Sequence, residues 1–269
     1  MALLCGVGSG ISGGGMKVLF IGDVVGRPGR QAVAVLVPRL RDELGLDFVI
    51  ANGENSAHGA GLTDSTVQAL LASGVDVITT GDHVWDQKGF EKFIALEPRV
   101  LRPFNAAPGA PGQGSIVAGN VGVICLTGRV FMPACDCPFR AAQNEVARLR
   151  RQTKIIFVDI HAEATSEKIA LGRFLDGEVT GVFGTHTHVP TADETILPKG
   201  TAYISDVGMT GPSDSVLGRD VQAVIKRFVS GMPQRLEVAE GAAALNGVVV
   251  EADEATGLAR RIERVRFAA

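Results

Sequence analysis

Aromatic side chains and an excess of charge of either sign are both scarce in this 269-residue chain. Aromatic residues make up 5% of it, with one tryptophan and one tyrosine, which argues against an extended platform for stacking nucleic-acid bases. Lys and Arg total 26 and Asp and Glu total 29, so the net charge is −3. This balance argues against a protein that grips nucleic acid or a membrane through bulk positive charge.

Cysteine is also scarce, with four residues in the chain. That number is too small for a disulfide-stapled scaffold of this length. Cys135 and Cys137 form a C-x-C pair, but no second pair accompanies them, whereas zinc sites are usually built from two spaced ligand pairs. We therefore predict free thiols.

No apolar run reaches the ~18–20 residues that a membrane span requires. The first 15 residues are rich in glycine and have no basic segment before their short apolar stretch, so we expect no secretory signal there. We expect residues 1–15 to be a flexible extension, or sequence upstream of a true start at Met16. Residues 16–269 are expected to form a single domain, and the protein is expected to be cytoplasmic.

Short β-branched runs alternate with helical patterns along the chain, which predicts parallel strands covered by helices. A helix is expected from about residue 30, broken or kinked at Pro38. The β-rich end adds antiparallel strands, so two mixed sheets between helical layers accommodate the elements most simply. The predicted strands are 17–21, 47–51, 75–80, 115–117, 121–126, 154–160, 179–183, 202–204, 235–239, 246–251 and 258–266, and the later helices are 63–73, 87–96, 138–152, 166–175 and 219–229.

Acidic, amide and imidazole side chains follow five of the predicted strands. The carboxyl ends of parallel strands lie at one edge of a sheet, where open α/β folds bind ligands. Four of the chain's five histidines fall at these positions, and the fifth, His58, lies in a loop after one of them. A lone histidine is usually structural, but this convergence favours a ligand-binding site. The residues are Asp23, Glu54, Asn55, Asp82, His83, His161, His186 and His188.

The chemistry of this set suits divalent metal ions. Imidazole and carboxylate bind zinc, manganese and iron, and the harder ions also accept an amide oxygen. Seven candidate ligands exceed what one ion with an open coordination position needs. Two ions ~3.5–4 Å apart, sharing one carboxylate, would use them all, as in enzymes that displace groups at phosphorus.

Several motifs resemble the calcineurin-like metallophosphoesterase superfamily and, within it, the YmdB-like phosphodiesterases. The similarity extends from about Met16 to the C-terminus. It implies a four-layer α/β/β/α sandwich and metal-dependent hydrolysis of phosphodiesters, with 2′,3′-cyclic nucleotides as family substrates. The matching stretches are LFIGDVVGRPGR, ANGENSAHGAGL, GDHVWDQK, GRVFM, HAEATSEK, GTHTHVPTAD and TAYISDVGMTG.

The resemblance also implies a role for each site residue. Two ions are expected, iron or manganese before zinc, with a hydroxide between them as the attacking group. His83 is expected to be no ligand but the general acid that protonates the departing oxygen. Asp23, Asn55 and His188 would hold one ion, Asp82, His161 and His186 the other, and Glu54 would bridge them.

Two positions depart from the superfamily pattern. The usual D-x-H of the first strand is absent here, because Asp23 is followed by two valines; Glu54 and Asn55 replace the missing ligand, as in the YmdB-like branch. The usual G-N-H triplet reads Gly-Asp-His at Asp82, which adds a negative charge to the site.

The sequence therefore predicts a dinuclear phosphodiesterase acting on a small-molecule phosphodiester. Two alternatives remain open: a phosphomonoesterase or nucleotidase that uses the same ions, and a non-catalytic regulator that binds nucleotide or RNA. His83 argues against the second, since a purely structural metal site has no use for an unligated imidazole. The residues that contact substrate and any homo-oligomeric state stay unassigned.

Two further motifs have two interpretations each. Gly26–Arg30 is a candidate phosphate cradle or a helix-starting turn. Arg129 is a candidate phosphate clamp or an ion-pair partner.

Overall fold

The computed structural model describes residues 15–269, so the predicted extension lies, apart from Gly15, outside the described residues. Within them the chain forms two mixed sheets and the helices that cover them. The strands are β1 (Gly15–Ile21), β2 (Asp23–Val24), β3 (Phe48–Asn52), β4 (Val77–Thr79), β5 (Val100–Leu101), β6 (Ser115–Ala118), β7 (Val121–Thr127), β8 (Ile155–His161), β9 (Gly181–Thr185), β10 (Thr195–Ile196), β11 (Ala202–Ile204), β12 (Met209–Pro212), β13 (Ala243–Asp253) and β14 (Ala259–Ala268). The helices are α1 (Gly26–Leu44), α2 (Asp64–Ala72), α3 (Phe90–Ile94), α4 (Pro138–Leu149), α5 (Thr165–Phe174) and α6 (Val221–Ser230), with a 3₁₀ turn at Asp82–Trp85.

The first sheet has the order β2-β12-β13-β1-β3-β4-β5, and β14 pairs with β13. Strands β1, β3, β4 and β5 run parallel, while β13 is antiparallel to β1. The second sheet has the order β10-β11-β9-β8-β7-β6, and β7, β8, β9 and β11 run parallel. In each sheet the parallel strands therefore bring their carboxyl ends to one edge.

Three apolar clusters define four layers. Buried side chains of β1, β3 and β13 pack against those of β7, β8 and β9 between the sheets, where Phe20, Phe157 and Phe183 meet. Helices α1 and α2 cover the outer face of the first sheet, and α4 and α5 cover that of the second. The predicted α/β/β/α sandwich with mixed sheets is confirmed.

One local prediction is wrong and another holds only in part. The first helix is expected to be kinked or split at Pro38; it is not split, because α1 continues from Gly26 to Leu44, and the kink stays a prediction. Pro38 lies on its exposed face, where water can bond the carbonyl that loses its amide partner. The segment 235–239 is not a strand but forms one isolated bridge, between Val238 and Arg219, because no strand lies beside it.

A tight turn and a helix cap fix the ends of two elements. The Gly119-Asn120 turn joins β6 and β7 as an antiparallel hairpin, in which Ala118 pairs with Val121. Thr63 caps α2, since its side chain accepts the backbone N–H of Thr66.

Across residues 15–269, no helix is long and apolar enough to cross a membrane.

Candidate metal centre

The strand ends deliver every predicted site residue to one edge of the sandwich. Asp23 begins β2, one residue after β1, while Glu54 and Asn55 follow β3. The 3₁₀ turn after β4 carries Asp82 and His83. The second sheet contributes His161 as the last residue of β8, and His186 and His188 directly after β9.

Four of these side chains converge on one point. The donor atoms of Glu54, Asp82, His161 and His186 all lie within 4.8 Å of one another. His161 Nε2 is at the centre, 3.0 Å from Glu54 Oε1 and 3.1 Å from Asp82 Oδ1. His186 Nδ1 lies 3.0 Å from the same nitrogen. Donors bound at ~2.0–2.1 Å to a tetrahedral ion are about 3.3 Å apart, so this spacing suits a metal ion.

The remaining three form an adjoining group. His188 Nε2 lies 3.2 Å from the Asn55 side-chain oxygen and 3.9 Å from Asp23 Oδ1. Asp23 Oδ1 is also 3.8 Å from a ring nitrogen of His161, so the two groups form one continuous site. All seven predicted ligands are therefore brought together.

Asp23 provides a direct test of whether this site suits a cation. Its side chain is completely buried, and Oδ1 has no hydrogen-bond partner. Burial, opposed by the positive charge of His161, raises the pKa of Asp23 to about 7. A buried carboxylate oxygen without a partner is costly unless a cation or proton satisfies it. This oxygen therefore fits a metal ligand.

The other titratable groups share charge in the same way. His161 is fully buried, but the charge of Glu54 and the hydrogen bond with Asp82 outweigh burial and hold its pKa well above the usual range. Burial alone would raise the pKa of Asp82, yet contact with His161 keeps that pKa well below normal. Burial and the neighbouring His161 cation lower the pKa of His186. These shifts show that the carboxylates and imidazoles lie close enough to interact strongly.

Supporting groups behind the site hold the ligands in place. Asp159 and Thr185 lie under His161, with Thr185 Oγ1 2.9 Å from His161 Nδ1 and 2.8 Å from Asp159 Oδ1. The segment bearing His186 and His188 has positive φ at both, 100° and 66°. Between them, Thr187 donates its N–H and hydroxyl to Asp206, which also pairs with buried Lys168 at 2.8 Å.

Sequence reasoning missed these supporting residues, because each reads as ordinary on its own. The only local signal was the placement of an acid, Asp159, inside an otherwise apolar strand next to a histidine. Lys168 and Asp206 stand 38 positions apart, and only the fold shows that they meet. Gly81 was likewise unremarked, although a Cβ there would overlap His161 and Glu54.

His83 stands beside the converging donor atoms rather than among them. Its side chain is 38% exposed, and Nδ1 lies 2.7 Å from Asp86 Oδ2. Burial opposes the charged imidazole, but the carboxylates of Glu54 and Asp82 outweigh it and raise the His83 pKa. The ring is therefore held by one nitrogen, and Nε2 makes no hydrogen bond to another described residue.

Other candidates from the sequence fall outside this cluster. Arg30 donates to the backbone oxygen of Ser56, which gives the Gly26–Arg30 segment a structural role at the start of α1. His58 is exposed, away from the converging donors. Among residues 15–269 the cysteines are free thiols, and none joins a metal-ligand cluster.

This four-layer sandwich, with carboxylates and imidazoles converging at its strand ends, defines a metal-dependent phosphoesterase. The family model described as "YmdB-like protein" matches residues 19–265, and the chain belongs to that family. A curated relative from Bacillus subtilis, "2′,3′-cyclic-nucleotide 2′-phosphodiesterase", is 51% identical over 93% of this chain and 96% of its own length.

Two solved structures are similar to this chain in fold and sequence. A hypothetical protein from Thermus thermophilus is 41% identical, with a TM-score of 0.87 over 94% of this chain and 99% of its own. A structure described as a novel phosphatase from Mycoplasma pneumoniae is 38% identical, with a TM-score of 0.88 over 95% of this chain and 94% of its own. The protein is accordingly a hydrolase of phosphate esters with a metal-binding site.

Proposed function

We propose that this protein hydrolyses 2′,3′-cyclic nucleotides with two metal ions held at the strand ends. The observation that carries the proposal is the buried, unpartnered oxygen of Asp23, which lies 3.8 Å from a ring nitrogen of His161 at the edge of the converging carboxylates and imidazoles. The likeness to the Bacillus subtilis enzyme supports the substrate class. Iron or manganese fits the mixed oxygen and nitrogen donors better than a thiol-seeking metal.

The ligand assignment follows the two groups in the structure. Asp23, Asn55 and His188 hold one ion, since His188 Nε2 contacts both others. Asp82, His161 and His186 hold the second. Glu54 Oε1 contacts His161 Nε2 at 3.0 Å, and Glu54 precedes Asn55 in the chain, so this carboxylate would bridge the two ions. When bound, the ions supply Lewis-acid stabilisation of the phosphoryl oxygens and an activated water.

His83 supplies the proton that the departing ribose oxygen needs. Asp86 accepts from its Nδ1, which fixes the ring and leaves Nε2 as the atom that donates to the departing ribose oxygen. The neighbouring carboxylates favour the protonated imidazole that this role requires. Glu163 lies 3.2 Å from His186 Nε2 and fixes the orientation of that ligand in the same manner.

Metal analysis of the purified protein, paired with a substrate panel, tests this function. We expect two ions per chain and faster turnover of 2′,3′-cyclic nucleotides than of 3′,5′-cyclic nucleotides or nucleoside monophosphates. Preference for monophosphates would establish the phosphomonoesterase alternative, and full metal loading without turnover would establish a regulator.

A matched pair of histidine variants assigns the activity to the site. His161→Asn should lose metal and activity together, because it removes the nitrogen on which the donors converge. His58→Asn should retain both, because His58 lies outside the cluster and asparagine tolerates its φ of 55°. Equal losses in the two variants would contradict the assignment.

A further inference from the structure

One aromatic side chain stands in solvent beside the metal centre. Phe131 is 88% exposed and has a φ of 62°. Single exposed apolar side chains are ordinary, but a bulky residue in the left-handed region is a genuine outlier. Such outliers persist only where surrounding structure imposes them, and they cluster at ligand-binding and active sites.

The surrounding structure does impose this conformation. Phe131 belongs to the segment 128–132, which follows β7, and the buried carboxylate of Glu167 accepts the backbone N–H groups of Arg129 at 3.0 Å and Val130 at 3.2 Å. Gly128 permits the close approach, since a Cβ there would lie 2.6 Å from Ala162 and from Glu167. A buried carboxylate thus holds the backbone that presents an exposed ring.

The same segment is attached to a proposed metal ligand. The Gly128 N–H donates to the backbone oxygen of His161 at 3.0 Å, and Thr127 pairs with His161 across β7 and β8. Gly128 and Phe131 are three residues apart, so their Cα atoms lie within about 10 Å, and Phe131 follows β7 at the sheet edge that carries the metal centre. Arg129, between them, is exposed, and its guanidinium makes no hydrogen bond or ion pair within residues 15–269. This edge therefore combines an available cation with an exposed ring, which suits an anionic, aromatic ligand.

We infer that Phe131 is a substrate-positioning residue that stacks on the nucleobase while the cyclic phosphate lies at the metal centre. This inference rests on the proposed function and specifies how that site distinguishes a nucleotide from other diesters. The low aromatic content argues against an extended stacking surface, but a single-nucleotide site needs only one ring.

Two substrates separate base recognition from chemistry. Adenosine 2′,3′-cyclic phosphate carries the base, and a base-free ribose 2′,3′-cyclic phosphate has the same reacting bonds without it. Removing an aromatic partner from a stacked base changes affinity by about 5- to 150-fold. In Phe131→Ala we therefore expect KM for the nucleotide to rise within that range, while kcat/KM for the base-free diester stays unchanged.

Further variants guard against a merely structural effect. Phe131→Trp should retain the preference for the nucleotide, and Phe131→Leu, which is apolar but has no ring, should lose it. Phe228→Ala is the matched control, because that ring is 82% exposed on α6. Phe228→Ala should change the kinetic constants for neither substrate.

The outcomes are distinguishable. Wild-type protein that cleaves both diesters equally well, or a Phe131→Ala variant with an unchanged ratio, overturns the inference and leaves the proposed function intact. Loss on both substrates with a changed size in solution makes Phe131 a subunit contact and also overturns it. Wild-type protein that cleaves neither diester refutes the proposed function itself.

Discussion

Asp82 is the most informative residue to change, because the family pattern has asparagine at this position. Asp82→Asn keeps the shape of the side chain and removes one negative charge. A single oxygen, Oδ1, lies 3.1 Å from His161 Nε2 and 3.5 Å from His186 Nδ1, so the substitution alters the second group of ligands directly.

The expected magnitude follows from charge counting. Two divalent ions would contribute +4, and Asp23, Glu54, Asp82 and the attacking hydroxide would contribute −4, which leaves no net charge to attract a phosphodiester anion. The Asp82→Asn substitution would raise the net charge to +1. At an effective dielectric constant of about 20, unit charges about 5 Å apart interact by about 3 kcal/mol, which limits the gain in kcat/KM to roughly 100-fold.

The same change should weaken metal binding. We expect the metal concentration for half-maximal loading to rise by about 10- to 100-fold, as when groups that support a metal ligand are removed. At saturating metal, kcat/KM should then exceed that of the wild-type protein. A ferric ion in one position restores the same charge with Asp82 present, so the gain should be larger with manganese than with iron.

Metal titration and steady-state kinetics, each performed with manganese and with iron, test this reasoning. Asp214→Asn removes the same charge from an exposed position and should change neither measurement. An Asp82→Asn variant that binds both ions and is inactive would refute the charge argument. Unchanged metal affinity would show that Asp82 is not a ligand.

Three further substitutions test other parts of the site. His83→Ala should keep both ions and lose about 10²–10⁴-fold in kcat on cyclic nucleotides but little on p-nitrophenyl esters, whose leaving group needs no proton; equal losses would contradict a general-acid role. Gly81→Ala should abolish metal binding, because its Cβ would overlap the imidazole of His161. The control Gly122→Ala should retain metal binding, because its Cβ meets only side-chain atoms, at 3.2–3.3 Å. Isothermal titration with metal distinguishes the two variants. Lys168→Met should lower the free energy of unfolding by about 3–5 kcal/mol, since it leaves a buried carboxylate without its cation; a loss below about 1 kcal/mol in urea denaturation would show that the pair is dispensable.

The sequence predicted the positions of the site residues because strand ends impose a common edge. Asp23, Glu54 and Asp82 follow consecutive parallel strands of one sheet, and His161 and His186 follow neighbouring strands of the other. A pattern of this kind survives small errors in strand boundaries. The predicted roles of these residues, and the single domain over 16–269, stay predictions.

What the sequence did not predict depends on contacts between distant segments. His186 and His188 have positive φ on either side of Thr187, which bonds Asp206, and nothing in the local pattern signals this arrangement. The uninterrupted α1 shows the same limit. Its buried face, which includes Leu36, Val37 and Leu40, packs on the first sheet and outweighs one missing hydrogen bond at Pro38.

The electrostatics of the site explain why it favours bound metal ions. Folding buries Asp23 and Glu54 beside Asp82, and His161 together with the backbone N–H groups of His83 and His186 partly compensates their charge. Because the folded pKa of Asp23 is raised to about 7, its burial costs stability once the pH exceeds its unfolded pKa of 3.8, and this cost grows until about pH 7. Binding of a cation removes that cost and displaces the proton, so metal affinity and pH are necessarily linked. The buried, unpartnered carboxylate oxygen of Asp23 therefore favours binding of a cation at the strand ends, and bound cations would attract a phosphodiester anion.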